Sequence, residues 1–124
     1  MSRQRQKGSS FERKVADYMA ERLGDERIDR MPLHGAKDRG DIAGFRFRGL
    51  PCTVECKNVA RMELPRWLDE ADDERGNADA EYGVVVHKRK GCGDARFGET
   101  YVTMTLDTFL AMSVGGEGLL EDAR

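Results

Sequence analysis

Residues 40–57 read GDIAGFRFRGLPCTVECK, and the architecture expected for the chain follows from them. Apolar and polar residues alternate over residues 42–48, which predicts a strand with an irregularity at Gly44. Turn-forming residues at 49–51 then reverse the chain, so residues 52–57 are expected to form the antiparallel partner strand. The sequence therefore predicts a β-hairpin here.

The second strand of this hairpin has two different faces. Glu55 and Lys57 project from one face, because alternate side chains of a strand point the same way. Cys52, Val54 and Cys56 project from the other face and form a small apolar stripe. That stripe favours buried thiols over metal ligands for the two cysteines.

Asp41, at the start of the first strand, is a candidate partner for Glu55 and Lys57. Carboxylates suit Mg²⁺, which prefers oxygen ligands, and the backbone carbonyl of Cys56 can supply another. A metal there would polarise a scissile phosphate, while Lys57 would orient or deprotonate the attacking water or stabilise the developing charge. The residues alone leave two interpretations open: a hydrolytic metal site, or surface salt bridges on a half-exposed sheet.

Two helices are predicted, one before and one after the hairpin. Helical spacing of apolar residues predicts the first at 9–23, where Ser9-Ser10-Phe11-Glu12 fits a capping box. Glu12 therefore has a structural interpretation beside a metal-site one. The second helix, at 64–75, has an apolar stripe opposite an acidic face that we expect to be solvated. That face comprises Asp69, Glu70, Asp72, Asp73 and Glu74.

The rest of the chain supplies further elements of the sheet. Residues 27–32 suit a short strand or an extended link. Residues 82–87 are continuously apolar and β-branched, which predicts a central buried strand. A strand at 101–105 and a short helix at 106–112 are expected to close the domain.

Composition favours a single globular domain. The chain has 124 residues, of which 39% are hydrophobic and 35% charged. We expect an α/β domain over residues 9–113, with a mixed central β-sheet flanked by helices. A flexible basic arm at 1–8 and a flexible tail at 114–124 are expected on either side. Three cysteines and the lack of an apolar signal region favour a cytoplasmic protein without a membrane segment.

The distribution of charge allows a phosphate-binding face despite a net charge of −2. Residues 1–48 carry 12 basic and 8 acidic residues, whereas residues 49–124 carry 9 and 15. Local potential matters more than total charge for such a face. Solvated loop and terminal charges are the alternative interpretation of the basic residues. The candidate DNA contacts are Arg3, Arg5, Lys7, Lys37, Arg39, Lys88, Arg89 and Lys90.

Neither of the two histidines, His34 and His87, has partners at zinc-finger spacing, so no zinc site is predicted.

The order of these motifs resembles the PD-(D/E)xK nuclease superfamily and, within it, the archaeal-type Holliday junction resolvases and their virus-encoded relatives. The resemblance covers about residues 8–90: a helix with an early glutamate, Gly-Asp-Ile, a hairpin, Val-Glu-Cys-Lys, a helix and an apolar strand. It implies a restriction-endonuclease-like core and an active centre with Mg²⁺, for which Mn²⁺ should substitute. The implied active-centre residues are Glu12, Asp41, Glu55 and Lys57, with Glu12 as a further candidate metal ligand.

The resemblance also implies a function. It suggests a metal-dependent endonuclease that cuts branched DNA, above all four-way junctions, as a two-fold symmetric homodimer in a prokaryotic or virus-infected cell. Two alternatives remain open: a nuclease of the same superfamily that nicks or trims duplex DNA, and a catalytically silent DNA-binding module. The sequence departs from the pattern at Gly40, where the superfamily's name has proline. It also has His34-Gly35-Ala36-Lys37 where such resolvases often carry a serine.

Overall fold

The computed structural model describes residues 3–33, 35 and 37–122, and the side chains of residues 7–33, 35 and 37–120. The helices are α1 (Arg3–Leu23), α2 (Leu64–Asn77), α3 (Leu106–Val114) and α4 (Glu117–Asp122). The strands are β1 (Asp29–Arg30), β2 (Ile42–Ala43), β3 (Arg46–Phe47), β4 (Leu50–Lys57), β5 (Tyr82–His87) and β6 (Tyr101–Thr103). A 3₁₀ segment, Asp94–Glu99, precedes β6.

One mixed sheet joins all six strands in the order β1-β2-β4-β5-β6, with β3 paired to the first part of β4. β4 and β5 are parallel, and this register sets Lys57 opposite His87. The other pairings are antiparallel. The predicted α/β fold, with a mixed sheet flanked by helices, is confirmed, and the architecture is consistent with a restriction-endonuclease-like core.

The predicted hairpin forms with the predicted irregularity. The first strand is divided into β2 and β3 at Gly44, whose φ is +84°. A Cβ atom at this position would lie 2.3 Å from the carbonyl oxygen of Arg27, so only glycine fits the close approach of the two segments. The strand break lets β2 lie between β1 and β4, while β3 pairs with the first part of β4.

The two faces of β4 meet different helices, as the alternation predicts. Cys52, Val54 and Cys56 are buried in the main core with residues of α1 and α3, which include Phe11 and Ala111. The thiols are buried, and burial raises the pKa of Cys52 to about 12. The opposite face of the sheet packs on α2, where Trp67 and Ala71 contact Val85 of β5. The sheet is therefore the middle layer, and its α2 side carries Glu55 and Lys57.

The predicted start of the first helix is wrong. The first helix begins at Arg3 instead of Ser9, because residues 4–7 are strong helix formers that extend it. Ser9 consequently lies inside α1, and the expected capping box with Glu12 does not exist. Met1 and Ser2, the start of the expected basic arm, lie outside the described residues.

The segment expected as a tail contains helix α4. The N–H of Glu117 donates to Oε1 of Glu81 at 2.6 Å, and Leu120 packs against the core. Gly115 ends α3 in the left-handed region, which turns the chain toward this contact. These tertiary contacts are not visible in the sequence of the segment. Residues 123 and 124 lie outside the described part of the chain.

No helix among the described residues is long and apolar enough to cross a membrane.

Helix α2 approaches the sheet closely at Gly83 of β5. A Cβ atom at this position would lie 3.0 Å from the carbonyl oxygen of Ala71 and 3.1 Å from Oγ1 of Thr53. The contact holds α2 directly over β4 and β5. Any side chain at residue 83 must move the helix away from the sheet.

We predict that Gly83→Ala lowers the free energy of unfolding by about 1–3 kcal/mol, because the added methyl overpacks this contact. Gly76→Ala is the matched control, since a Cβ atom at residue 76 meets no atom within 4 Å. It should leave stability unchanged or raise it by up to about 1 kcal/mol through helix propensity. Urea unfolding followed by circular dichroism measures both. Equal effects of the two substitutions would contradict the close packing.

Candidate active site

Backbone contacts fix Asp41 at the end of the loop that leads into β2. Its N–H donates to the carbonyl of Val54 at 2.8 Å, and its carbonyl accepts from the N–H of Met31 at 2.8 Å. Its side-chain Oδ2 accepts from the N–H of Cys56 at 2.7 Å. The carboxyl group of Glu55 lies close enough to raise the pKa of Asp41. β2 and β4 thus hold these two acids in contact.

Gly40 gives the loop its path to Asp41. Its φ is +94°, and a Cβ atom there would lie 3.2 Å from the carbonyl oxygen of Val54. Proline requires φ near −65°, so it cannot occupy this backbone conformation. The close approach of this loop to β4 therefore explains why glycine stands where the superfamily's name has proline.

Glu12, Asp41, Glu55 and Glu74 form an acidic cluster, and burial is the main cause of their raised pKa values. It raises the pKa of Asp41 to about 8, and the hydrogen bond and charge of Glu55 act in the same direction. Burial likewise raises the pKa of Glu55 to about 8, with a further contribution from Glu74. The pKa of Glu74 rises to about 7, through burial and then through Asp38. The pKa of Glu12 is also raised, by burial and by the charge of Asp41.

This donor set fits a hard divalent cation. Several carboxylates lie in contact and out of water, where each resists ionisation beside the others. A cation with oxygen ligands relieves that repulsion. Of the predicted ligands, Asp41 and Glu55 have the most strongly raised pKa values.

Lys57 extends from the same face as Glu55, and its Nζ donates to Oε2 of Glu70 on α2 at 2.7 Å. Partial burial lowers the pKa of Lys57, but the Glu70 hydrogen bond and the charges of Glu55 and Asp41 outweigh it, so the pKa is raised overall. Lys57 is therefore a protonated donor beside the acids at neutral pH. This charge state favours stabilisation of negative charge over removal of a proton from water.

Glu12 reaches the site from α1. Its Oε2 accepts from Nη2 of Arg30 at 3.0 Å, and Asp41 lies close enough to raise its pKa. A cleft of about 540 Å³ opens beside Glu12, Arg30 and Asp41. The structure thus brings the four predicted active-site residues, Glu12, Asp41, Glu55 and Lys57, to one end of the sheet.

The predicted DNA contacts lie at several places. Lys37 and Arg39 are exposed on the loop before Asp41 and line the cleft. Lys88 follows β5, and its N–H donates to the carbonyl of Lys57 at 3.0 Å, which places this basic segment beside the site. Arg89 is held by Glu99 at 3.1 Å. Lys90 is exposed after β5 and Lys7 is exposed on α1, whereas the side chains of Arg3 and Arg5 lie outside the described part of the structure, as does His34.

The prediction that the whole acidic face of α2 is solvated is wrong. Glu74 is buried, with 3% of its surface exposed, and Glu70 is half-buried against Lys57. Sequence reasoning missed a helical spacing that would have indicated this burial, at Trp67, Glu70, Ala71 and Glu74. These positions follow i, i+3, i+4 and i+7, so the two glutamates lie on the buried stripe of the helix.

Two further contacts were not predicted. Arg30, in the segment expected as a strand or link, holds Glu12 from β1. Asp38, in the loop before β2, lies close to Glu55 and Glu74. Both contacts join elements that are distant in sequence, so no local pattern indicates them. His87 is buried, and its Nε2 lies 2.7 Å from Oγ1 of Thr103.

Comparison with known families decides the assignment. The family model described as "Phage putative PDDEXK endonuclease" matches residues 3–114. The chain belongs to this family. Membership confirms the resemblance at the level of the PD-(D/E)xK superfamily and indicates a nuclease with DNA as its substrate. No curated protein and no solved structure was found to match the chain.

From the acidic cluster we predict that the free energy of unfolding of this endonuclease family member depends on pH when no metal is present. The pKa values of Asp41 and Glu55, near 8 in the folded protein, exceed their ordinary values of 3.8 and 4.5. Near neutral pH the folded protein therefore keeps protons that the unfolded chain has released. Stability should fall as pH rises from about 7 to 8, by up to about 1.4 kcal/mol per pH unit for each retained proton.

Urea unfolding in EDTA across this range measures the slope. His87, whose pKa is lowered by burial, is mostly neutral in both states above pH 7 and contributes little to the slope. Asp41→Asn should reduce the slope, whereas Asp73→Asn, an exposed acid on α2, should not. A stability that is constant or rises over this interval would contradict the proton retention.

Proposed function

We propose that the protein is a metal-dependent endodeoxyribonuclease that hydrolyses phosphodiester bonds in branched DNA, with four-way junctions as its preferred substrate. The proximity of the carboxyl groups of Glu12 and Glu55 to that of Asp41, with protonated Lys57 beside them, carries this proposal. Membership of an endonuclease family supports the reaction class. The preference for junctions rests on the resemblance of the ordered motifs to resolvases.

The carboxylates of Asp41 and Glu55 and the carbonyl of Cys56 would hold Mg²⁺, or Mn²⁺ in its place, with Glu12 as a further ligand. The bound ion would polarise the scissile phosphate and stabilise the charge that develops on it. The N–H of Cys56 donates to Asp41, so the same residue of β4 orients the acid that faces the metal. Arg30 holds Glu12 toward this position from β1.

Lys57 serves as the fixed positive donor of the site. Hydrolysis forms a new P–O bond from water and breaks the bond to the leaving oxygen, with negative charge accumulating on the phosphate oxygens. Glu70 keeps the ammonium group in place, so Lys57 needs little rearrangement to bind a phosphate oxygen or the attacking water. We therefore assign Lys57 to stabilisation of charge and orientation of water.

Basic side chains on both sides of the site would guide DNA to it. Lys37 and Arg39 line the cleft, and Lys88 and Lys90 are exposed on the segment that follows β5. Phosphate contacts of this kind position DNA without reading its sequence. The exposed acids of α2, such as Asp73, would point away from the DNA.

A homodimer would pair two such sites. Four-way junctions are cut on opposed strands, which suits a two-fold symmetric enzyme. β6, at one edge of the described sheet, and the following α3 expose a group of large apolar side chains that support this assembly. They are Tyr101, Val102, Leu106, Phe109 and Leu110. We place the enzyme in the cytoplasm of a prokaryotic or virus-infected cell.

Cleavage of a labelled four-way junction, beside nicked, flap and duplex DNA of matched sequence, tests the proposal. With Mg²⁺ the protein should cut the junction symmetrically, and EDTA should abolish cutting. Asp41→Asn and Glu55→Gln should remove detectable activity. Lys57→Ala should bind the junction normally in a gel-shift assay and cut it at least about 100-fold more slowly.

Asp73→Asn is the control and should cut like the unmodified protein. Equal cutting of all four substrates would retain the nuclease and overturn the preference for junctions. Binding without cutting under any metal condition would leave only a DNA-binding module. Normal activity of a folded Asp41→Asn or Glu55→Gln variant would remove the proposed site.

The dimer has its own test by sedimentation. The unmodified protein should sediment as a dimer, and Phe109→Glu should sediment as a monomer, because a charge would replace an apolar contact. Leu23→Glu, at an exposed position at the end of α1, should leave the dimer intact. A monomeric unmodified protein that still makes paired cuts would contradict the homodimer.

A further inference from the structure

Glu74 is an ionisable side chain that the proposed reaction does not use, and it lies in an unusual environment. It is 3% exposed, and its Oε2 is fully buried without a hydrogen-bond donor among the described residues. Its carboxyl group contacts that of Glu55. A buried carboxylate without a donor or a positive partner is costly, so its position requires an explanation.

The neighbouring basic residues do not provide that partner. The Nζ of Lys57, on β4, donates to Glu70. Arg75, the next residue on α2, donates to Oδ1 of Asp72 at 2.9 Å and to the carbonyl of Ala80 at 3.3 Å. Both cations are thus directed to other acceptors. Glu74 instead faces two further acids.

Asp38, Glu55 and Glu74 converge at one point between the sheet, α2 and the loop before β2. One carboxylate oxygen from each residue lies within 4.8 Å of the other two. Two hydrogen bonds hold the loop in this arrangement. Oδ1 of Asp38 accepts from the N–H of Gly40 at 2.9 Å, and the backbone carbonyl of Asp38 accepts from Nδ2 of Asn77 at 2.8 Å. The three acids therefore belong to a built site.

We propose that Asp38, Glu55 and Glu74 form a second binding position for a divalent cation with oxygen ligands, and that Glu55 is shared with the position at Asp41. The cation supplies the positive partner that Oε2 of Glu74 lacks. Because the three ligands come from β4, α2 and the loop, the ion ties these elements together. This inference rests on the proposed function only through the shared Glu55.

Binding of Mn²⁺ to the full-length protein without DNA tests the second position. The electron paramagnetic resonance signal of unbound Mn²⁺ gives the number of ions that each chain takes up. The unmodified protein should bind two, and Glu74→Gln should bind one. Asp41→Asn should also bind one, because it weakens the other position. Asp73→Asn, with the same change of charge on an exposed turn of α2, should bind two.

A second measurement separates lost binding from lost folding. In EDTA, Glu74→Gln should unfold at the same temperature as the unmodified protein or a higher one, because a neutral amide replaces a buried acid. The rise in unfolding temperature on addition of Mn²⁺ should be smaller in this variant than in Asp73→Asn. Two bound ions in a folded Glu74→Gln variant, or a single ion in the unmodified protein, would overturn the inference.

The outcomes distinguish this inference from the proposed function. Two ions, one of them lost in Glu74→Gln, in a protein that cuts no DNA would support the second position and reject the nuclease. Cleavage of junctions by a protein whose Glu74→Gln variant still binds two ions would do the reverse.

Discussion

The burial of several carboxyl groups in mutual contact is the constraint on which this structure depends. Asp41 and Glu55 lie side by side, with Glu12 near Asp41 and Glu74 near Glu55. Water is largely removed from the cluster, and this burial is the main cause of the raised pKa values of its acids. Such an arrangement opposes folding in the absence of cations. It is held by the packing of β2 and α2 against β4.

The backbone achieves this through a three-layer arrangement. β4 sends Cys52, Val54 and Cys56 into the core beneath α1, which forces Glu55 onto the α2 side. Gly83 lets α2 approach closely enough for its glutamates to reach β4. The stability of the main core therefore supports an electrostatically unfavourable site at the end of the same strand. Burial of the apolar face of β4 supplies the free energy of folding that keeps the acids together.

Two ion pairs at the edge of the acidic cluster hold charged side chains in place. Glu70 fixes Lys57, and Arg30 fixes Glu12, both at about hydrogen-bond distance from their partners. These pairs leave the central acids without a salt bridge among the described residues, so a divalent cation would relieve their mutual repulsion. Membership of the endonuclease family agrees with such a site.

The sequence alone determined the hairpin, the shared face of Glu55 and Lys57, and the α/β class, because these follow from local alternation and turn chemistry. It also pointed to the superfamily through the order of short motifs. Only the tertiary structure revealed Arg30, Asp38 and the burial of Glu74, because each becomes a neighbour of the site through contacts between elements distant in sequence. A helix pattern shows which residues share a face, but packing decides whether an acid on that face is solvated or buried.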